Sequence, residues 1–597
     1  MSTSIPTEVD IIIAGGGAAG CLLAHRLSTA HPTLSILLIE GGAKNRDHPQ
    51  IVHPGLFITN LVPGSTTARF YTSVAAKEVN GREVAVAAGG CLGGGSAVNL
   101  MCYVRASESD YDGFGMEGWG SQGLIPLLKK HETIHLPKNE VSARTHGWEG
   151  EFQISQGGTY HQEELMEDFL GASSAAGWGR TADPMDLKTG NAFGPLAAWI
   201  DPKTGLRQDG AHVLIHPLMD AASTSLQLLT DHDVVRVLFD TSKKATGVEV
   251  LSRHNQSTPI TITAQKLVVL SAGAFGSPLI LERSGVGSQE VLSKIGVEPV
   301  YINQNVGNNY QDHPLIAWPY ISSAGPETSL DCLLNGSLAV PDALAKENNI
   351  LSSNHIEGIG KIRPNATDLA NFSPKLQELW ARDFADKADK PAALALLASI
   401  HFGDHKDTPG QYFSMGTALA YPYSRGYVHA SSKDVKDAPV FDVGFFKEEV
   451  DIEMFVWIYK KQREVARRME RYRGPLKSCN PMFKEGSEAS FEVADRDVGT
   501  VERGEIRDVK YGKEDDEAIV ECLRGRVETM WHSLGTCAMK LLNEGGVVDG
   551  ELNVYGVEGL KVADLSIVPK MVGANTYSTA LLMGEKAAQI ILKELKL

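Results

Sequence analysis

Two stretches at opposite ends of the chain carry residue types that could act on one molecule. Gly15-Gly16-Gly17-Ala18-Ala19-Gly20 follows the apolar run Val9 to Ala14, and Trp531-His532-Ser533-Leu534-Gly535-Thr536-Cys537 and Asn575-Thr576 lie near the finish. A glycine loop between strand and helix suits a dinucleotide. Its first glycine permits the tight turn, its second lets the backbone approach a pyrophosphate, and its third lets helix and strand pack closely. The helix N-terminus behind the loop offers unpaired N–H groups and a partial positive charge to phosphates. Glu40, twenty residues past Gly20, is placed to accept hydrogen bonds from ribose hydroxyls. A histidine such as His532, brought beside the dinucleotide, can move a proton while the cofactor takes a hydride. The pairing points to a redox enzyme rather than a carrier, although the loop by itself does not separate FAD from NAD.

The elements that must position these residues follow from apolar patterning. Val9 to Ala14 reads as a buried strand, Cys21 to Ser28 as a helix, and Leu34 to Ile39 as a strand ending in Glu40. That is the first crossover of a doubly wound parallel sheet. Val234 to Leu238, Gly247 to Leu251, Leu267 to Ala272 and Leu560 to Ala563 have the β-branched, apolar look of further strands. A helix is expected from about Thr576 to Leu595, with Ala580, Leu581, Met583, Gly584, Ala587, Ala588 and Ile591 as its small and apolar stripe. The middle differs. Asp331 to Asp404 reads as polar, loop-rich and helical in places, and Gln411 to Phe446 holds strand-like segments. The expected class is α/β, a Rossmann-like nucleotide domain carrying an inserted α+β layer.

Composition excludes several classes. With 597 residues, 43% hydrophobic and 22% charged, the chain is long enough for two globular domains with a substantial core. A net charge of −17 argues against nucleic acid as a partner. Apolar runs such as Leu267 to Leu270 are too short to cross a membrane, and no signal-peptide pattern opens the chain. Seven cysteines without a CxxC pair read as reduced, mostly buried thiols of an intracellular protein, and no metal-ligand spacing occurs. The tail Leu595-Lys596-Leu597 approaches the peroxisomal S-K-L signal but lacks its small first residue, so cytosol and peroxisome both stay open. Gln208, His212, His146 and His313 read as structural polar residues.

Two more glycine clusters extend the argument. Gly89-Gly90-Cys91-Leu92-Gly93-Gly94-Gly95-Ser96-Ala97-Val98-Asn99 is too dense for a helix or strand interior, and the neighbouring Leu100 and Met101 suggest backbone pressed against something flat or bulky. Gly273 to Gly287 reads as turn, short helix, turn. Both segments resemble signatures of the glucose–methanol–choline (GMC) oxidoreductases, with Gly90 departing from the basic or amide residue usual there. Asn305 to Pro314 and Ser424-Arg425-Gly426 also look like family segments, so the likeness runs from Asp10 to Lys586. Within the family the chain is most similar to the fungal alcohol (methanol) oxidases, on Phe70-Tyr71-Thr72-Ser73, Trp531 to Cys537 and Val562 to Leu582.

The resemblance implies an FAD enzyme that oxidises primary alcohols to aldehydes, with O2 reoxidising the flavin to give H2O2. It places the catalytic pair on His532 and, eleven residues after Asp564, on Asn575. The imidazole would take the hydroxyl proton as the α-hydride leaves for flavin N5, and the amide would orient the hydroxyl oxygen. The implied cofactor-binding set is Gly15, Gly17, Ala18, Ala19, Gly20, Glu40, Gly93, Gly94, Ser96, Asn99, Leu100, Met101, Val234, Ala563, Asp564, Asn575 and Thr576. FAD would be non-covalent, because no histidine in Gly89 to Ala106 offers an attachment point. The FAD-binding domain is expected over 8–160, 225–320 and 525–597, and a substrate domain over 161–224 and 321–524. Leu100 stands where methanol-oxidising relatives tend to carry phenylalanine, which implies a roomier pocket for longer or aryl alcohols. The stretch Glu485 to Asp515 looks shorter than in the large methanol oxidases, so their octamer is not implied and a homo-oligomer is left open. Alternatives are a dehydrogenase using quinones or dyes, a hydroxynitrile lyase keeping FAD structurally, and a non-catalytic FAD-binding protein.

Overall fold

A computed structural model describes residues 5–221, 224–254, 258–406 and 410–596; Leu597, the last residue of the tail tripeptide, lies outside them. Two seven-stranded sheets organise these residues. In the first, Glu8–Ala14 pairs in parallel with Ile36–Ile39 on one side and Ile260–Leu270 on the other, and Ile36–Ile39 pairs in parallel with Leu226–Leu229. Ala245–Ser252 and His232–Phe239 continue the sheet antiparallel, and Leu560–Val562 adds in parallel to the far half of Ile260–Leu270. The first two strands are almost wholly buried runs, the pattern of a sheet covered on both faces. Helix Ala18–Ala30 covers one face and packs against Tyr577–Glu594, so the two ends of the chain meet over one sheet.

The second sheet is antiparallel, in the order Tyr472–Pro475, Pro314–Ser322, Tyr412–Leu419, Ala393–Ala398, Ile356–Ile362, Ala192–Pro195. Glu528–Thr529 pairs with the start of Pro314–Ser322, which carries the chain from this sheet directly to His532. Helices Glu163–Ala175 and Glu449–Arg467 pack against it and against each other. The first sheet shares one apolar core with residues of the second such as Ile359, Leu396 and Ala418, while Ala395, Leu397 and Met415 of the second sheet belong to another.

The middle of the chain is where expectation and structure part. Besides helices such as Pro374–Asp383, the segment 331–404 holds two fully buried strands, Ile356–Ile362 and Ala393–Ala398. In the first, Glu357 and Lys361 are buried with their neighbours, so no alternation marks it. The second, Ala-Leu-Ala-Leu-Leu-Ala, is a short apolar run of good helix formers, and only pairing with Tyr412–Leu419 makes it a strand. Among the described residues no helix is long and apolar enough to cross a membrane.

Candidate active site

The glycine loop is shaped by contacts from three directions. Gly15 has φ +115°, its N–H donates to Ile39 O at 2.8 Å, and a Cβ there would stand 2.3 Å from Ser271 O. Gly16 N–H donates to Glu40 Oε2 at 2.9 Å, and Gly42 N–H to Glu40 Oε1 at 2.7 Å. Glu40 therefore braces the loop. Each carboxylate oxygen has a second lone pair, so ribose hydroxyls can still be accepted. Burial pushes its carboxyl above the usual value, and the Arg69 charge opposes that shift. Gly17 caps helix Ala18–Ala30 without a side-chain bond, which leaves the first-turn N–H groups without a side-chain partner.

These residues border a cavity of about 1180 Å3, above the roughly 300–1,000 Å3 of ordinary small-molecule sites. Gly15, Gly17, Ala18, Ala19, Glu40, Gly94, Ser96, Asn99, Leu100, Met101, Val234, Asp564, Asn575 and Thr576 all line it, and so does His532. Three residues of the expected set do not. Gly20 sits inside the first helical turn, which starts at Ala18 rather than Cys21, and a Cβ there would fall 2.1 Å from Gly15 O. Its smallness serves helix-to-loop packing. Gly93 points its N–H at Gly16 O, 2.7 Å away, joining two glycine loops to each other. Ala563 is fully buried, with its N–H on Leu270 O and its carbonyl taken by Ser271 Oγ. Asp564 lines the cavity, yet its carboxylate is occupied by Gly273 N, Ser277 Oγ and Ser566 N, so it fixes the start of helix Gly273–Arg283.

His532 and Asn575 are placed by a segment whose histidine had read as structural. Gln311, Asp312 and His313 are consecutive and buried, directly before strand Pro314–Ser322 of the second sheet. Gln311 accepts Met571 N–H at 2.9 Å and donates to Pro569 O at 3.3 Å, holding the loop that leads to Asn575. Gly573 N–H on the same loop donates to Asp110 Oδ2 at 3.1 Å, and Tyr421 OH donates to that oxygen at 3.0 Å. Asp312 accepts His532 N–H at 2.9 Å, Thr529 Oγ1 at 2.5 Å and Tyr310 OH at 3.2 Å. Burial pushes the Asp312 carboxyl up to about 6. Trp531, between Thr529 and His532, has φ +60°, a conformation costing an aromatic residue about 1–3 kcal/mol. Its N–H is tied to Thr529 Oγ1 at 2.7 Å. His313 Nδ1 lies 2.8 Å from His532 Nδ1, so this buried histidine is in direct contact with the ring of His532.

Electrostatics keep the pair uncharged. Burial, and then the neighbouring His313, lower the His532 pKa well below 6.5, while burial takes His313 down to about 4. Asn575 Oδ1 is buried without a protein partner. It stands directly before helix Tyr577–Glu594, whose N-cap Thr576 makes no side-chain capping bond. The helix start, with Thr576, Tyr577 and Ala580 on the cavity, can stabilise negative charge there. The second sheet adds Leu315, Ala317, Ile356, Leu396, Ala398 and Gly416, an apolar surface facing the same space. Sequence reasoning also passed over Arg207. Its buried guanidinium donates to Asn99 O at 2.7 Å, Asn99 Oδ1 at 2.8 Å, Ser96 O at 3.2 Å and Ile51 O at 2.7 Å, holding the second glycine loop from behind. Among the described residues no cluster of His, Cys, Asp or Glu could hold a metal.

A dinucleotide fits this arrangement: bare glycine backbone, a helix N-terminus, an acid after the second strand and the Asn575 amide all border one cavity. Comparison with known proteins agrees. Family models described as GMC oxidoreductase match residues 9–315 for the N-terminal part and 422–584 for the C-terminal part. The alcohol oxidase of Pichia angusta is 38% identical over 642 aligned residues, covering 99% of this chain and 96% of the relative. An FAD-dependent oxidoreductase from Chaetomium thermophilum is 24% identical with a TM-score of 0.79, covering 99% of this chain and 100% of that one. A fungal aryl-alcohol oxidase is 22% identical with a TM-score of 0.78 and the same coverage. At those identities the two solved structures speak for the fold alone.

Replacing Asp312 by alanine leaves the His532 N–H and the Thr529 hydroxyl without their buried acceptor, while the Tyr310 hydroxyl keeps Ser533 Oγ at 2.8 Å. Each orphaned group costs about 1–3 kcal/mol, so Asp312→Ala is expected to lower the denaturant midpoint clearly. An unchanged midpoint would show that Asp312 does not hold this loop.

Proposed function

The chain belongs to the GMC oxidoreductases, and from that premise we propose that it is an FAD-dependent alcohol oxidase whose base is His532. The observation that carries the reading is the meeting of His532 and Asn575 on the cavity bordered by the glycine loop, one a neutral imidazole, the other an uncharged amide whose NH2 can donate. We assign FAD binding to 8–160, 225–320 and 525–597, and the alcohol to surfaces from 161–224 and 321–524. FAD held by the glycine loop, Glu40 and the start of helix Tyr577–Glu594 would supply the hydride acceptor, with O2 as terminal oxidant giving H2O2.

The chain's own residues do the rest. A primary alcohol enters with its hydroxyl toward His532 and Asn575 and its carbon chain on the apolar surface of the second sheet. The Asn575 amide hydrogen-bonds the hydroxyl oxygen and fixes its direction. His532 Nε2 takes the hydroxyl proton, and the electron pair left on oxygen closes the C=O bond as the α-hydrogen leaves the carbinol carbon with its bonding pair as hydride, giving the aldehyde. Leu315, Ile316, Leu396 and Ala398 give the cavity apolar walls, beside which a polar contact with the substrate is stronger than in water. Leu100 lines the same cavity, and a leucine where methanol-oxidising relatives tend to carry phenylalanine is the basis for assigning longer or aryl alcohols.

Stopped-flow reduction under anaerobic conditions tests the reading. His532→Ala is expected to slow cofactor bleaching by an alcohol roughly a hundred- to ten-thousandfold while FAD stays bound. Bleaching at the native rate would remove His532 from the chemistry. The sign of the pH effect follows from the lowered pKa. Neutral His532 is the active form, so the rate is expected to stay level as pH falls through 6.5 and to drop only at more acid values. A midpoint at or above 6.5 would contradict the buried, neutral base. Ranked by kcat/KM, butanol and benzyl alcohol are expected ahead of methanol, and the reverse order would defeat the roomier pocket.

A further inference from the structure

The contact between His313 and His532 decides which nitrogen of the base faces the substrate. Two imidazole nitrogens 2.8 Å apart need one proton between them, with one ring donating and the other accepting. His313 Nε2 lies 3.0 Å from Ala420 O, and a carbonyl can only accept, so the His313 proton sits on Nε2. A neutral ring has one N–H, which leaves His313 Nδ1 as a lone pair. His532 Nδ1 must then donate, and its own single proton is used there. Its Nε2 is left bare. The rings meet nearly edge to face, 86° between planes with centroids 5.1 Å apart. Turning the His532 ring over would put a carbon where the shared proton belongs.

We propose that His313 is a positioning residue for alcohol oxidation: anchored on the Ala420 carbonyl, it accepts the Nδ1–H of His532 and so presents the Nε2 lone pair of His532 to the alcohol. The inference rests on the reading of His532 as the base and adds how that base is set. When the alcohol O–H bond breaks, the proton forms the Nε2–H bond of His532 while the His532 Nδ1–H stays donated to His313 Nδ1, so the imidazolium that results is hydrogen-bonded at both nitrogens. The arrangement does the work of the carboxylate in a Ser-His-Asp triad without adding a negative charge beside the base. His313 thus fixes the tautomer and leaves the base free to give its proton up again.

The test pairs a spectrum with two substitutions. In the FAD-loaded protein labelled with 15N-histidine, the His532 signals, identified by their loss in His532→Ala, are expected to show protonated Nδ1 and bare Nε2 at neutral pH. A protonated Nε2 in the resting enzyme would overturn the inference. His313→Leu removes the acceptor and is expected to slow anaerobic reduction at saturating alcohol by about 10–100-fold, with KM little changed. His313→Asn, which returns an acceptor oxygen close to the place of Nδ1, is expected to recover most of that rate. Native-rate reduction in His313→Leu would also overturn the inference, while a slow His532→Ala would leave the base reading standing. Native-rate reduction in His532→Ala would instead remove the base itself. Should His313→Leu fail to retain FAD, the spectrum of the unsubstituted protein decides.

Discussion

Three adjacent buried side chains hold the two halves of the site in one frame. Gln311 ties down the loop before Asn575, Asp312 takes the backbone N–H of His532, and His313 takes its ring. The main chain of the same segment also exchanges hydrogen bonds with Leu534 in both directions, at 3.0 and 3.1 Å. Neither His532 nor Asn575 is placed by a helix or a strand of its own. Both depend on loops that would wander without these anchors. The left-handed Trp531 is the sign of that dependence, since strain of this kind persists only where surrounding bonds over-determine the backbone.

The anchor segment works because of where the sheets put it. Pro314–Ser322 begins at its end and pairs with Glu528–Thr529, so the second sheet delivers the chain to His532. The first sheet delivers the glycine loop, and helix Tyr577–Glu594 packs on helix Ala18–Ala30 to bring Asn575 to the same cavity. Arg207 and Glu40 play comparable parts at the two glycine loops, each spending its polar groups on backbone. Burial makes these contacts effective: an unpaired polar group in such surroundings costs more than the bond contributes when made.

Much of this was readable from residue order, for reasons that are local. Strand, glycine turn, helix and acid follow one another within about forty residues, and each has its own periodicity or backbone requirement. Ile356–Ile362 and Ala393–Ala398 were not readable, because burial on both faces erases alternation and pairing with distant strands overrides the helix propensity of Ala and Leu. At the site, residue types pointed to His532 and Asn575, but the roles of Gln311, Asp312, His313 and Arg207 depend on partners more than a hundred residues away. The segment Asn305 to Pro314 could be matched to family members as a string. What its side chains hold could be seen only in three dimensions. Gly20, Gly93 and Ala563 show the converse: small residues next to a binding loop can serve packing of the loop itself.

The most direct measurement is a diffraction map of the protein crystallised with FAD. The account predicts the isoalloxazine ring in the cavity with its N5 edge toward His532 Nε2 and the Asn575 amide, and the His313–His532 contact intact. A ring bound elsewhere, or either side chain turned away from it, would contradict the account.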